Sequence, residues 1–141
     1  MAITAAKPRK EKNGNLAREE SYVVASGQTI PQGALVSINT STREAYNGTD
    51  AASRAFVGLA QETVVGDGVL TIKVKYGHDA LLTINANITD ASVNKNVSIE
   101  DNDQVDTNTA RTNDVMVGVV RKLESASTAW IGIRIPGFSN T

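Results

Sequence analysis

The single histidine of the chain, His78, is the first residue whose chemistry could serve catalysis. Asp79 follows it directly, and a serine nucleophile with a histidine base and an aspartate would form a hydrolase triad. No serine, however, lies in the G-x-S-x-G turn that exposes such a nucleophile. We therefore expect His78 to be a surface histidine in a turn, without a catalytic or metal-binding role.

The acidic stretch 100–106, EDNDQVD, has the composition of a calcium-binding loop. Counted from Asp101, Asp106 stands where such a loop needs glycine, and Thr112 stands where it needs glutamate. We expect the stretch to be a solvated loop instead. Glycine patterns for phosphate binding are missing, and the chain has no cysteine for zinc or thiol chemistry. The sequence thus predicts no metal, no cofactor and no enzymatic activity.

The only tryptophan, Trp130, lies in an alternating stretch, 128–135. Alternation predicts that one face of this strand is buried, namely the face with Ala129, Ile131, Ile133 and Ile135. Trp130 and Arg134 then share the opposite face, and both residue types are enriched in binding hot spots. We predict Trp130 and Arg134 as subunit-interface residues. For Trp130, an internal covering role and a sugar-stacking role remain alternatives.

The charges of the chain are nearly balanced, with 14 Lys and Arg against 15 Asp and Glu. This balance gives no bulk attraction to nucleic acid or to an anionic membrane. No apolar run approaches the roughly 20 residues that span a bilayer, and residues 1–12 lack the apolar stretch of a signal peptide. We expect a protein assembled in the cytosol that binds neither nucleic acid nor membrane.

Residues 1–20 differ from the rest of the chain in composition. They carry five Lys and Arg against three Glu, and their sparse apolar residues follow no strand or helix period. Such a segment buries too little apolar surface to offset its ordering entropy. We predict a flexible N-terminal arm over 1–20 that becomes ordered on a partner, and a β domain over 21–141. A disordered terminus without a role remains the alternative for the arm.

The composition of the β domain favours strands, because Val, Ile and Thr are abundant while Asn and Gly supply turns. In 69–76 the alternation predicts a buried face made of Leu70, Ile72, Val74 and Tyr76. The expected fold class is all-β, with a compact barrel-like or sandwich-like domain. The predicted strands are 21–26, 34–39, 69–76, 80–86, 96–100, 115–121 and 128–135.

Short motifs occur twice, about 60 residues apart. The first set is VSI at 36–38, FVG at 56–58 and IKVKYG at 72–77; the second is VSI at 97–99, MVG at 116–118 and IRIPG at 133–137. We predict two similar β-units with an internal repeat of 27–77 and 87–137, and coincidence remains the alternative. Gly58 and Gly118 lie mid-strand in this scheme. They predict a close approach of strands or a covering side chain, with a β-bulge as the alternative.

The stretch 27–77 also carries a resemblance. It contains GQTIPQGALVSI, then AFVGLAQETVV, then GDGVLTIKVKYG. This order is similar to that of the small β proteins that decorate, or cement, the heads of tailed phages. The matching positions are Gly27, Ile30, Gly33 and Val36, then 56–60, then 68–77.

The resemblance implies a structural protein of the virion. Such proteins are commonly homotrimers on the outer capsid surface, where they bridge neighbouring copies of the major capsid protein. Their N-terminal arms often add strands to capsid edges. We therefore predict that the basic residues of the arm meet acidic capsid patches: Lys7, Arg9, Lys10, Lys12 and Arg18. A carbohydrate-binding or adhesion module on a virion is the alternative, followed by a small enzyme with paired carboxylates.

Overall fold

The computed structural model describes residues 2–108 and 110–134. In this part of the chain the helical elements are two 3-10 turns, Gly14–Leu16 and Asp90–Ser92. The prediction of an all-β fold is confirmed. The strands are β1 (Glu11–Lys12), β2 (Arg18–Val23), β3 (Thr29–Ile30), β4 (Leu35–Asn39), β5 (Ala45–Asn47), β6 (Arg54–Ala60), β7 (Val64–Val65), β8 (Thr71–Tyr76), β9 (Asp79–Ile84), β10 (Asn96–Ile99), β11 (Gln104–Thr107), β12 (Met116–Leu123) and β13 (Thr128–Ile133).

Strands β9 to β13 form a closed barrel. Their order within the described residues is β9-β11-β10-β12-β13, and β13 pairs back onto β9. The β9–β11 pair is parallel and the other pairs are antiparallel. Strand β1 extends this sheet by pairing with β9. Strands β2, β8, β6, β4 and β5 form a second sheet in that order, beside the small ribbon β3–β7.

The two sheets share the same ladder around their central strands. Strand β4 pairs with β5 and β6, and β10 pairs in the same way with β11 and β12. Val36 lies opposite Gly58, and Val97 lies opposite Gly118. In both ladders the register shifts directly after that pair, which places one β-bulge in each sheet at the equivalent position.

The correspondence extends to the first strand of each sheet. Val24, just after β2, bridges Ala45 in parallel, and Ile84, at the end of β9, pairs in parallel with Val105. Both pairs are separated from their counterparts by about 60 residues. We call β2–β8 the first unit and β9–β13 the second unit. Both units begin before the predicted repeats, which started at residues 27 and 87. The prediction missed these beginnings because β2 and β9 share no sequence motif.

At its end, the predicted correspondence of IKVKYG with IRIPG is wrong. Lys75 lies opposite Leu59, whereas Gly132 lies opposite Val119. The last strand of the second unit therefore comes earlier in the chain than the motif match implied, because a short turn joins β12 to β13. The end of the second predicted repeat, 135–137, lies outside the described residues; this range includes Ile135, which was predicted to face the core.

Close packing of backbones explains the two repeated glycines. A Cβ atom on Gly118 would lie 1.9 Å from the carbonyl oxygen of Gly132, and one on Gly58 would lie 2.7 Å from that of Lys75. A close approach is observed at both sites between neighbouring strands of the same sheet. An approach of the two glycine-bearing strands to each other stays a prediction. The β-bulge that stood as its alternative is present as well.

Each unit has an apolar interior, and the second interior also joins the units. The first contains Val24, Ile30, Ala34, Val36, Ala45, Val57, Ala60, Ile72 and Val74. The second contains the inward residues of β9–β13 together with Leu35, Phe56 and Leu59 of the first unit. Polar contacts add to this junction, since the carboxylate of Asp50 accepts the backbone N–H groups of Thr112 and Asn113 at 3.0 and 2.9 Å.

We predict that Gly118→Ala destabilises the fold by about 1–3 kcal/mol, because the added methyl group forces the backbones of β12 and β13 apart. Urea unfolding measures the effect. Gly14→Ala is the matched control, since its Cβ would lie 3.6 Å from the nearest atom, Lys75 Nζ. Equal unfolding midpoints for the two variants would contradict the packing argument.

Candidate functional site: the N-terminal strap and its groove

The described part of the predicted arm, residues 2–20, lies extended along both units. Its last residues belong to β2, which begins at Arg18, so the domain boundary predicted after residue 20 falls inside a strand. We call residues 3–12 the strap and the surface beneath it the groove. The flexibility of the arm in solution stays a prediction.

Backbone groups hold the strap along its length. The side-chain amide of Asn102 accepts the Ile3 N–H at 2.8 Å and donates to the Ile3 carbonyl at 3.0 Å. Farther along, the Lys7 N–H donates to the carbonyl of Gln32 at 2.8 Å. The strap ends as β1, paired with β9. The strap therefore contacts both units.

Asp103 is the anionic centre of the groove. Its Oδ1 lies 2.8 Å from Lys7 Nζ and 2.8 Å from Arg9 Nη1. The Arg9 side chain is only 3% exposed, and its Nε donates to the carbonyl of Gly33 at 2.8 Å. Burial by itself would raise the pKa of the Asp103 carboxyl. The hydrogen bonds and charges of Lys7 and Arg9 outweigh it, so this pKa is lowered.

The strap also covers Trp130. Lys12 Nζ lies 4.2 Å from the centre of the Trp130 ring, a cation–π contact. The indole N–H donates to Glu124 Oε2 at 2.9 Å, and Trp130 is 8% exposed. Trp130 is thus shielded by the strap of its own chain. Arg134 is half-buried, and burial lowers the pKa of its guanidinium. The predicted subunit-interface role of both residues stays a prediction.

A second ionic contact joins β1 to β8 and to the turn between β8 and β9. Glu11 lies 2.7 Å from Lys75 Nζ through Oε1 and 3.2 Å from His78 Nε2 through Oε2. His78 is 2% exposed, so the expectation of a surface histidine is wrong. Burial lowers its pKa, and the opposing attraction of Glu11 does not offset that effect. The sequence around His78 could not predict this burial, because the residue that contacts it, Glu11, lies far away in the chain.

The five predicted docking cations divide into two groups. Lys7, Arg9 and Lys12 contact the groove of their own chain. Lys10 and Arg18 are exposed. The capsid-binding role of all five stays a prediction.

The acidic stretch 100–106 is not a solvated loop, so that expectation is wrong. Its last residues form β11, and Asp106 is fully buried. Arg111 Nη2 lies 2.6 Å from Asp106 Oδ2 and also reaches Glu100 Oε1 at 3.2 Å. Burial would raise the pKa of Asp106, but the hydrogen bonds from Arg111, Thr107 and Asn87 outweigh it and lower that pKa. The stretch was missed as a strand because acidic residues are rarely buried unless they are paired, and the partner of Asp106 is Arg111, just beyond the stretch.

Three exposed large apolar side chains lie within six residues of one another in the sequence, around the turn before β8. Val65 is 64% exposed, Val69 is 76% exposed and Leu70 is 52% exposed. The prediction that Leu70 faces the core is therefore wrong. The reason is Asp67, whose Oδ1 accepts the N–H groups of Val69 and Leu70 at 2.8 Å each, holding them in a turn before the strand begins. We call Val65, Val69 and Leu70 the tip.

In the described part of the chain, no group of three or more His, Cys, Asp or Glu residues could hold a metal ion. The helical turns within the described ranges are too short to cross a membrane. No protein-family model matches the chain, and no curated protein sequence matches it.

We predict that Asp103→Asn loosens the strap and costs about 3–5 kcal/mol, because Arg9 is left as a buried charge without its carboxylate. The emission of Trp130 then shifts to longer wavelength as Lys12 leaves its ring. We expect the same emission shift when the wild type is acidified. Because the pKa of Asp103 is lowered in the folded protein, its ionised carboxylate stabilises the fold at every pH above the ordinary carboxyl value of about 4. That stabilisation is lost as the pH falls through the lower pKa of the folded state.

Asp90→Asn is the control, since it makes the same chemical change at an exposed carboxylate in the 3-10 turn Asp90–Ser92. Wild-type emission from a folded Asp103→Asn protein at neutral pH would refute the role of Asp103.

We predict that His78 makes the protein less stable below about pH 6.5, its ordinary pKa, because the unfolded chain binds the proton more readily than the folded one. In urea titrations the wild-type midpoint falls from pH 7 towards pH 5. His78→Gln flattens this dependence, since the chain has no other histidine. A slope that persists in the variant would assign it to other groups.

Proposed function

We propose that this chain is a structural protein of a tailed-phage virion. It decorates the outside of the capsid as a homotrimer and bridges neighbouring major capsid subunits. The phage assignment is supported by the resemblance of 27–77 to head decoration proteins. The observation that carries the binding role is the tip, three exposed apolar side chains at one turn of the first unit.

The tip is suited to a protein partner. Clustered apolar side chains on the surface of a soluble chain commonly mark an interaction site. Asp67 fixes the turn beneath Val69 and Leu70 through two backbone hydrogen bonds. A fixed turn loses little conformational entropy on binding, so more of the contact energy remains as affinity.

The strap offers a second contact with the shell. Among the described residues, no strand pairs with the outer edge of β1, and a free edge can accept a strand from another protein. Lys10 directly precedes β1 in the sequence, and Arg18 begins β2. Both side chains are exposed and suited to acidic patches on the capsid. Several weak contacts per trimer would add up to firm attachment.

The alternative of a carbohydrate-binding module has less support. Sugar stacking needs an accessible aromatic face, whereas Trp130 is 8% exposed and lies under Lys12. The proposal that the chain is not an enzyme rests on the same resemblance as the capsid role.

We predict that purified particles of the phage encoding this chain contain it in stoichiometric ratio to the major capsid protein. Heads made without it rebind the added wild-type protein. Val69→Ser weakens this binding about tenfold, the order expected for losing one buried Val side chain. The double variant Lys10→Glu, Arg18→Glu, tested in the wild-type background, also weakens head binding, and does so most strongly at low salt.

Two controls separate the tip and the cations from general effects. Leu16→Ser removes a side chain that is 66% exposed outside the tip, and Lys95→Glu reverses an exposed charge outside the arm. Both should bind like the wild type. Particles that lack the chain, or heads that bind every variant equally, would overturn the proposal.

A further inference from the structure

The groove is built to hold an extended peptide. Asn102 contacts both backbone groups of Ile3, as a neighbouring strand would, and its amide is oriented by Asn47 Oδ1 at 2.8 Å. The Leu81 N–H donates to the carbonyl of Lys10 at 2.9 Å. These contacts use only the backbone of the bound segment, so they require an extended chain and not a particular sequence.

Side-chain selectivity comes from Asp103 and Gly33. Asp103 accepts Lys7 and Arg9, which are two residues apart and so lie on the same side of an extended segment. Gly33 lets the backbone pass directly above it, since a Cβ there would lie 1.8 Å from the Lys7 carbonyl oxygen. The groove therefore selects a peptide with basic residues at alternate positions. Every copy of this chain carries that peptide at residues 3–12.

The segment that joins the strap to β2 is weakly anchored. In residues 13–17, Asn13 has φ of 58° and the 3-10 turn Gly14–Leu16 buries no side chain. Leu16 is 66% exposed. The contact from this segment to the barrel is the hydrogen bond from Asn13 Nδ2 to Asp79 Oδ2, at 2.9 Å. A different path for 13–17 would therefore break few interactions.

We propose that the groove binds the strap of a second copy of this chain, so that neighbouring copies exchange residues 3–12. The exchanged strap makes the same hydrogen bonds and ion pairs as the strap of the chain itself, because groove and strap are identical in every copy. Exchange is then limited by the local concentration of the chain's own strap, in the millimolar range for a short linker. Copies therefore exchange straps where their concentration approaches the millimolar range, as on a shared surface, and keep their own straps in dilute solution.

This proposal does not depend on the capsid role. It needs only the groove, the strap and the weakly anchored linker. Exchange links copies through a surface that the tip does not share, so it is compatible with the proposed homotrimer. It also leaves the outer edge of β1 in place, whichever copy supplies that strand.

Separate cysteine variants of the full chain test the exchange, since the native chain has no cysteine. Lys12 and Asp79 are partners across the β1–β9 ladder, and directly opposite residues have Cα atoms about 4.5–5.5 Å apart, within disulfide range. One protein carries Lys12→Cys and the other carries Asp79→Cys. Mixed and oxidised at high concentration, they form the mixed dimer above the background of random collisions only if a strap enters another copy's groove. Peptide mass spectrometry of the dimer band from a non-reducing gel distinguishes the disulfide between positions 12 and 79 from those of the homodimers.

The expected yield of mixed dimer is about tenfold above that of Lys12→Cys with Lys95→Cys, whose cysteine lies at an exposed site beside the 3-10 turn Asp90–Ser92. Asp103→Asn in the Asp79→Cys partner lowers the yield several-fold. One chain carrying both substitutions closes an internal disulfide, which verifies the geometry. An internal disulfide together with a mixed-dimer yield no higher than the control would overturn the proposal.

Discussion

A single buried carboxylate holds the N-terminal strap in place. Asp103 receives Lys7 and Arg9 at 2.8 Å each, and Arg9 is almost completely covered. Taking such a guanidinium away from its carboxylate leaves a desolvated charge, which is costly. An ionised Asp103 therefore favours a groove that is occupied by a strap. Its position in turn decides the burial of Trp130 and the contact of Glu11 with His78.

The two units provide the rigid surface on which the strap lies. Their ladders match pair for pair at Val36–Gly58 and Val97–Gly118, including the bulge after each pair. Neither unit contributes the whole groove: Gln32 and Gly33 come from the first, while Asp103 and β9 come from the second. The repeat architecture thus creates a binding surface at its junction that a single unit would lack.

Sequence alone predicted what local patterns encode. Alternation correctly placed Ala129, Ile131 and Ile133 inside the second unit, and the spacing of the VSI motifs and central glycines anticipated the matching ladders. It did not predict which charged side chains pair with one another. The burial of His78 and of Asp106 depends on Glu11, Arg111 and the fold around them, and strand periodicity carries no information on such pairings.

The account depends most on the strap being bound through Asp103, and backbone hydrogen exchange at Lys7 and Leu81 measures this directly. Both N–H groups bridge strap and groove, whereas the Ile133 N–H bonds within the barrel to the His78 carbonyl. The account predicts that all three are protected at neutral pH. Below about pH 4 Lys7 and Leu81 lose protection before Ile133 does. Exchange of Lys7 and Leu81 at unfolded-chain rates at neutral pH, with Ile133 still protected, would contradict it.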